Sequence, residues 1–546
     1  MPQGACAINA SRMVSVLRRP IARIAERRVD LVLTLFGALF GWASLTYPFG
    51  RDQGLYYYVG REWALRGSIP YRDVFDHKTP GIYFVHGVCV TIFGETFWGI
   101  RLADLLAVLA LGWVAGAIVS SARDTRHVPL RGLGAFAASV QFFGFLDFKT
   151  TCEAEVWIAL AILGAIALAR SRFGTARSDR AARFASGALA GVALVMKPSA
   201  APMVLVVVAL IVWDARRAIR KVAGALLLFS AGAAGLLGLV LLYFLAHGAL
   251  QPAYEIVVEA NQLYVSDGNA GLKPDLMEHT KIFFEWHRPG SYALTLLLAV
   301  AFVRASVHKD LDALGSHVLA VLLCSTAWAS VVLQGKYFHG HWGVMVAGTT
   351  VAVLSVTADA VKVLPARATR WIAPASCAVC AALYATTGDR FTNYKVVNRA
   401  AFGWVTGKIS RDEFTSHFDE SFASGAVSVN EACGRWLRDH TSASDFIAVR
   451  GFQPQVYATA RRRYPGRLFW TVFVLGPGGA ARRAQWLEED RRLLAANPPK
   501  YAATFDFVHD NTEGTEWWVA RGYTVRTKIG DFTIVEHTPE TATQPW

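Results

Sequence analysis

Between Tyr47 and Tyr83 the chain reads YPFGRDQGLYYYVGREWALRGSIPYRDVFDHKTPGIY, with apolar segments on either side. Asp52, Arg61, Glu62, Arg72, Asp73, Asp76, His77 and Lys78 fall within it, mixed with Tyr, Trp, Gly and Pro. A connection this long, with so many ionisable and aromatic groups, is more than a link between helices. Its carboxylates could orient a hydroxyl or take its proton, and its cations could hold an anion. Asp52 follows Pro48 and Gly50, which with Gly54 keep the preceding apolar segment from simply continuing. Leu55, Tyr58, Val59 and Trp63 then share one face at helical spacing. That predicts a helix in the headgroup plane, holding Asp52 at the membrane surface. By composition alone, a solvated acid capping that helix is the plainer reading.

Three other connections carry ionisable groups. Asp147, Glu153 and Glu155 could bind a divalent cation with Asp52 or order a hydroxyl. They read equally as helix-end acids that favour the dipole. Lys197 sits between Met196 and Pro198 in apolar sequence. A lysine at the bilayer centre costs roughly 2.5–3.5 kcal/mol, so Lys197 should lie near a surface, snorkelling or meeting a lipid phosphate. Lys336, His339 and His341 lie beside Tyr337 and Trp342. Two histidines around Gly340 without a carboxylate argue little for a metal, and the group reads as interfacial anchor or phosphate contact. Glu255, Glu259, His279, Glu285, His287 and Arg288 are too scattered to assign.

The elements that must position these residues are mostly apolar. The chain has 546 residues, 53% hydrophobic and 18% charged, with a mean hydropathy of +0.32. The apolar residues come in blocks long enough to span a bilayer as helices, so a polytopic membrane protein is expected. The net charge of +14 is not a nucleic-acid signal, because the basic residues cluster in alternate short connections, as the positive-inside rule requires. Of the seven cysteines, Cys89, Cys324, Cys377 and Cys380 lie in apolar segments, so no disulfide framework is expected. The Cys377/Cys380 pair has no polar company and reads as small hydrophobes.

Arg18, Arg19, Arg23, Arg27 and Arg28 precede the first apolar run, which Tyr47-Pro48-Phe49 follows where small residues would mark cleavage. An uncleaved first span with a cytoplasmic N-terminus (residues 1–29) is expected. Spans follow at about 30–48, 98–120, 132–146, a fourth after Glu155, a pair over 184–212 broken at Lys197-Pro198, then 222–246, 289–303, 318–333, a tenth after Trp342, and 371–387. A short apolar segment at about 81–94 precedes the second span. That makes about eleven spans over residues 30–388, with the 49–80 connection outside and every basic cluster on the other face. From about 389 to 546 the pattern becomes that of a soluble domain, placed outside by the parity. Helices are expected at Ile409–Phe422, Glu431–His440 and Ala484–Ala496. Strands are expected at Phe446–Val449, Tyr501–Phe507, Val519–Thr527 and Phe532–Val535, with an apolar run near Phe469–Leu475. Their alternation predicts a small α/β domain. It carries neither a phosphate-binding glycine fingerprint nor a nucleophile elbow.

The first connection, through Arg51, Asp52, Gln53, Gly54, Gly67, Pro70, Tyr71, Arg72, Asp73, Asp76, His77, Lys78 and Pro80, resembles that of the GT-C glycosyltransferase superfamily. It is most similar to bacterial relatives of the protein O-mannosyltransferases and the lipid A aminoarabinose transferase (family 39-like). The similarity runs more loosely through Glu153/Glu155, Lys197-Pro198 and Gln334 to His341. The resemblance implies a bundle of about eleven spans with a periplasmic C-terminal domain, working in the inner membrane. It implies transfer of a sugar from a polyprenyl-phosphate donor to an acceptor hydroxyl on a lipid, polysaccharide or protein. Asp52 is then the acceptor-orienting base, with Glu153 or Glu155 assisting, preferred over Asp147. Arg72, His77, Lys78, Lys197, Lys336 and His339 would meet the leaving phosphate. A divalent cation could join through Asp52, Asp76 and Glu155. A lipid or solute transporter is the rival, and a membrane sensor a further alternative. Transporters place ionisable groups at the midplane of broken helices in repeated halves, whereas here such groups crowd the connections and no repeat is seen.

Overall fold

The computed structural model describes residues 28–122, 128–145, 148–171, 175–216, 218–262, 276–286, 290–363, 371, 374–375, 378, 389–419, 425–470, 480–505 and 513–544. Arg18 to Arg27, Asp147, His287, Arg288, Cys377, Cys380, the 471–475 run and nearly all of the expected last span lie outside these residues.

This is a helical membrane protein with a small mixed sheet at its C-terminal end. Among the described residues six helices are long and apolar enough to cross a bilayer: Arg28–Thr46, Phe97–Ala122, Pro198–Ala215, Ile219–Ala246, Leu311–Gln334 and His339–Lys362. Shorter or partly charged helices at Leu130–Phe145, Ala154–Arg170, Ala176–Met196 and Gly290–Val307 answer the remaining described spans.

In chain order α1 is Arg28–Thr46 and α2 is Arg51–Arg66. Next come α3 (Gly81–Phe93), α4 (Phe97–Ala122), α5 (Leu130–Phe145), α6 (Ala154–Arg170) and α7 (Ala176–Met196). The outermost spans expose apolar stripes, such as Leu35, Phe36 and Leu39 on α1. Such faces suit lipid, where burial against protein is not needed. The inner spans instead pack through small residues. A Cβ on Gly112 of α4 would come within 2.1 Å of the Gly134 carbonyl on α5, so the two backbones touch only because both positions lack side chains.

The predicted α2 forms, but it does not lie on the membrane with one face in lipid. Leu55 to Glu62 are all buried, because the C-terminal domain covers the side that the bundle leaves open. The helix Gln455–Ala460 packs so closely on α2 that a Cβ on Gly54 would lie 2.4 Å from the Gln455 Cα. Tyr58 accepts a hydrogen bond from the Tyr464 backbone N–H at 2.9 Å and stacks on Phe469 at 4.2 Å between centroids. Arg61, wholly buried, donates to Glu62 at 2.7 Å and to the Arg462 carbonyl at 2.7 Å.

In the C-terminal domain β1 (Ile447–Arg450), β2 (Tyr501–Phe505), β3 (Tyr523–Ile529) and β4 (Phe532–His537) form one sheet in the order β1-β2-β4-β3. β1 and β2 are parallel, with Ile447 opposite Tyr501, and the other pairs are antiparallel. β1 and β2 are buried throughout, whereas the edge strand β3 is largely exposed. Two expectations shift. Val519 ends a short helix, Thr515–Val519, and β3 starts at Tyr523, because Trp518 is buried beneath the sheet. The surface helix expected over 409–422 is only Arg411–Ser416. Its Phe414 is buried against Trp404 at 5.3 Å, which docks the segment instead of leaving it solvated.

Candidate functional site

The first turn of α2 and the loop before α6 each deliver an acid, and one interlocking set of hydrogen bonds holds both. Gln53 accepts from the Gly50 N–H at 2.7 Å, so α2 starts with its own side chain closing the first turn. The Gln53 amide donates to the carbonyls of Phe148 and Thr151 at 2.8 and 2.6 Å. Asp52 is the neighbour of Gln53 on one side of that junction, and Glu153 lies two residues past Thr151 on the other.

Asp52 is paired with Arg51 at 2.9 Å and its side chain is 31% exposed. Burial works against its ionisation, but Arg51, Lys78 and His77 outweigh it and hold the carboxyl well below the usual carboxylate range. Glu153, the N-cap of α6, is buried with its carboxylate packed on Gly340. Burial, then Glu155 and Asp52, push its carboxyl well above the usual range. The two carboxyls are therefore pushed in opposite directions, Asp52 toward its ionised form and Glu153 toward its protonated form. Tyr56, one turn beyond Asp52, is pushed well above the usual phenol range by burial and by Asp52, Glu153, Asp76 and Glu155, so its hydroxyl stays a donor.

The cations gather opposite. Lys78 acts on Asp52, Glu153, His77 and His341, and its ammonium has no hydrogen bond or ion pair among the described residues. Its peptide carbonyl is fixed by the Tyr71 hydroxyl at 2.7 Å and the Tyr83 hydroxyl at 3.2 Å. Lys197, in the break between α7 and the next helix, ion-pairs with Glu155 and donates to Gln334 at 3.3 Å. Burial pulls the Lys197 ammonium down, but Glu155 and Glu153 outweigh that and keep it charged. Lys197, expected near the outer surface to snorkel or to meet a lipid phosphate, pairs here with a carboxylate on the adjacent helix. His77 stacks on Trp470 at 6.0 Å. Burial and Lys78 keep it below the usual imidazole range despite Asp76, 3.0 Å away.

One expected residue stands elsewhere. Arg72 binds both Asp73 oxygens at 2.8 Å and the His247 carbonyl at 2.6 Å, so its guanidinium is committed away from Asp52. Lys336 and His339 lie in the turn leading to the helix His339–Lys362. Burial lowers the Lys336 ammonium. It is His341 that faces Asp52, Lys78 and Lys197, buried and with Nδ1 unpartnered. Arg101 on α4 is also fully buried, and its signal in the sequence is an arginine inside an apolar span.

The donors do not suit the metal set Asp52, Asp76 and Glu155. Asp76 accepts from the Tyr83 hydroxyl and from the His77 backbone N–H at 2.7 Å, while Glu155 pairs with Lys197. Among the described residues no group of three or more His, Cys, Asp or Glu is placed to hold an ion.

A spanning bundle with a small mixed-sheet domain closing over the first loop gathers acids and cations at their seam, and this fold is shared with known structures. The structure is similar to ArnT from Cupriavidus metallidurans bound to undecaprenyl phosphate, with a TM-score of 0.56 and 15% identity over 96% of this chain and 99% of that one. The apo state of that protein matches with 0.56 and 15% over 94% and 99%. An oligosaccharyltransferase from Archaeoglobus fulgidus, also apo, matches at 0.44 and 12% over 88% and 69%. In sequence, no family model and no curated protein matches.

Proposed function

We propose that this protein transfers a sugar from a polyprenyl-phosphate donor to an acceptor hydroxyl on the outer face of the membrane, with inversion. The observation that carries the reading is the ionised Asp52 beside the uncommitted Lys78 ammonium at the mouth of a membrane bundle. The fold shared with a protein crystallised with undecaprenyl phosphate supports it.

The acceptor oxygen bonds to the anomeric carbon as that carbon's bond to the phosphate oxygen breaks. The bonding pair leaves with the phosphate. Lys78, with Lys197 behind it, offsets the charge that gathers there. Asp52 holds the hydroxyl in line and accepts its proton. A carboxylate of such low basicity takes that proton late, once the sugar carbon has become electron-poor. Glu153, its carboxyl held toward the protonated form, and the Tyr56 hydroxyl supply hydrogen bonds to the substrates. No step uses a divalent cation; loss of activity with EDTA and its return with a divalent ion would overturn that part.

The test is transfer by purified protein in lipid nanodiscs, supplied with labelled polyprenyl-phosphate sugar and an envelope extract from a strain lacking it. A new covalent glycan or glycolipid is expected. Sugar-lipid moved across a vesicle membrane with no covalent product would establish the transporter instead.

A further inference from the structure

The two acids of the site are carried by loops almost a hundred residues apart, and both loops meet one buried guanidinium. Arg101, in the first turns of α4, donates through Nη1 to the Thr151 hydroxyl. Its Nη2 donates to the Pro48 carbonyl at 2.5 Å and to the Gln53 side-chain oxygen at 3.2 Å. Thr151 passes its own proton to the Phe148 carbonyl at 2.6 Å. The Cys152 carbonyl faces His86 Nε2 at 3.0 Å, and Cys152 itself adopts a left-handed backbone, φ 60°. Such a conformation is strained for a side-chain-bearing residue and persists only where neighbours enforce it. A planar fork bonded to both loops resists sliding as a point charge cannot.

We infer that Arg101, with Gln53 and Thr151, is a positioning clamp that sets the separation of Asp52 from Glu153, and through it the alignment of acceptor and donor. This rests on the transferase reading for its consequence, though not for its geometry. Arg101 is fully buried and both its Nη nitrogens bond to protein. It acts by holding the Pro48–Gln53 turn against the 148–152 turn, so each acid projects from a fixed rim. Because burial, Glu155 and Asp52 together raise the Glu153 carboxyl, loosening the clamp changes two observables at once: the turnover and the titration of Glu153.

The first experiment needs no substrate. Infrared difference spectroscopy of the full-length protein in nanodiscs follows the protonated-carboxyl band that Glu153→Gln removes. Arg101→Lys keeps the charge and loses the fork, while Thr151→Val keeps the shape and loses one acceptor. Both are expected to lower the titration midpoint of that band, Arg101→Lys by roughly one pH unit or more as Glu153 gains water and distance from Asp52. A midpoint unmoved in folded Arg101→Lys and Thr151→Val protein overturns the clamp. The second experiment is transfer from labelled polyprenyl-phosphate sugar. Arg101→Lys should lower kcat about a hundredfold with KM for the donor little changed, as expected of a small misplacement. If the wild-type protein transfers nothing, the transferase reading fails while the spectroscopic result stands. If the wild type transfers and both variants match it, the clamp fails alone.

Discussion

Asp52→Asn separates chemistry from architecture. The asparagine keeps the size of the side chain and an oxygen for the hydroxyl, but it cannot accept a proton. A positioned general base contributes about 10²- to 10⁴-fold, so kcat should fall by that factor, about 2.7–5.4 kcal/mol of barrier at about 1.36 kcal/mol per tenfold. Stability should barely change. Arg51 and Asp52 are 33% and 31% exposed, and ion pairs that open to solvent contribute about 0–1 kcal/mol. The pH dependence has a definite sign. With a folded pKa held below the ordinary 3.8, the carboxylate's stabilisation is complete above that value and is lost only as pH falls through the folded pKa. Asp52 therefore puts no acid limb on activity near neutrality. The assay is single-turnover transfer in nanodiscs with labelled polyprenyl-phosphate sugar, beside thermal unfolding of the same preparation. An Asp52→Asn protein that unfolds like the wild type and still transfers at more than about a tenth of its rate would refute the base assignment.

Three further outcomes follow from the same geometry. Lys78→Met should slow transfer about 10²- to 10³-fold, as for loss of a single donor to developing negative charge, and should abolish competition by free polyprenyl phosphate in a binding assay. Glu153 is a hydrogen-bond donor only while protonated, so wild-type kcat should decline as pH rises through its raised pKa; Glu153→Gln keeps a donor and should flatten that limb of the profile. Glu155→Gln or Lys197→Met alone leaves a buried charge without its partner and should destabilise the protein by about 3–5 kcal/mol. The double variant should recover part of that loss in thermal unfolding, and a double variant no better than the worse single would sink the pairing.

Much of this molecule follows from the chain without its folded form. Apolar blocks separated by arginine clusters dictate a membrane bundle, since a long apolar run can satisfy its backbone only as a helix within lipid. Pro48, Gly50 and Gly54 dictate that the first span stops and a new helix follows, which begins at Arg51, because its breakers are local. The β1, β2 and β4 periods mark the C-terminal sheet for the same reason. Tertiary structure alone decided which cations meet Asp52. His77 and Lys78 come from the first connection, Lys197 from the break after α7 and His341 from a third segment, while Arg72 turns to Asp73. It also decided that α2 is buried beneath residues 455–469, a face no helical wheel can assign, because its partner lies some four hundred residues on. Periodicity reports what one element would like to bury. Which element buries it, and which charge is left facing an ionised acid, depends on contacts between distant segments that no local spacing encodes.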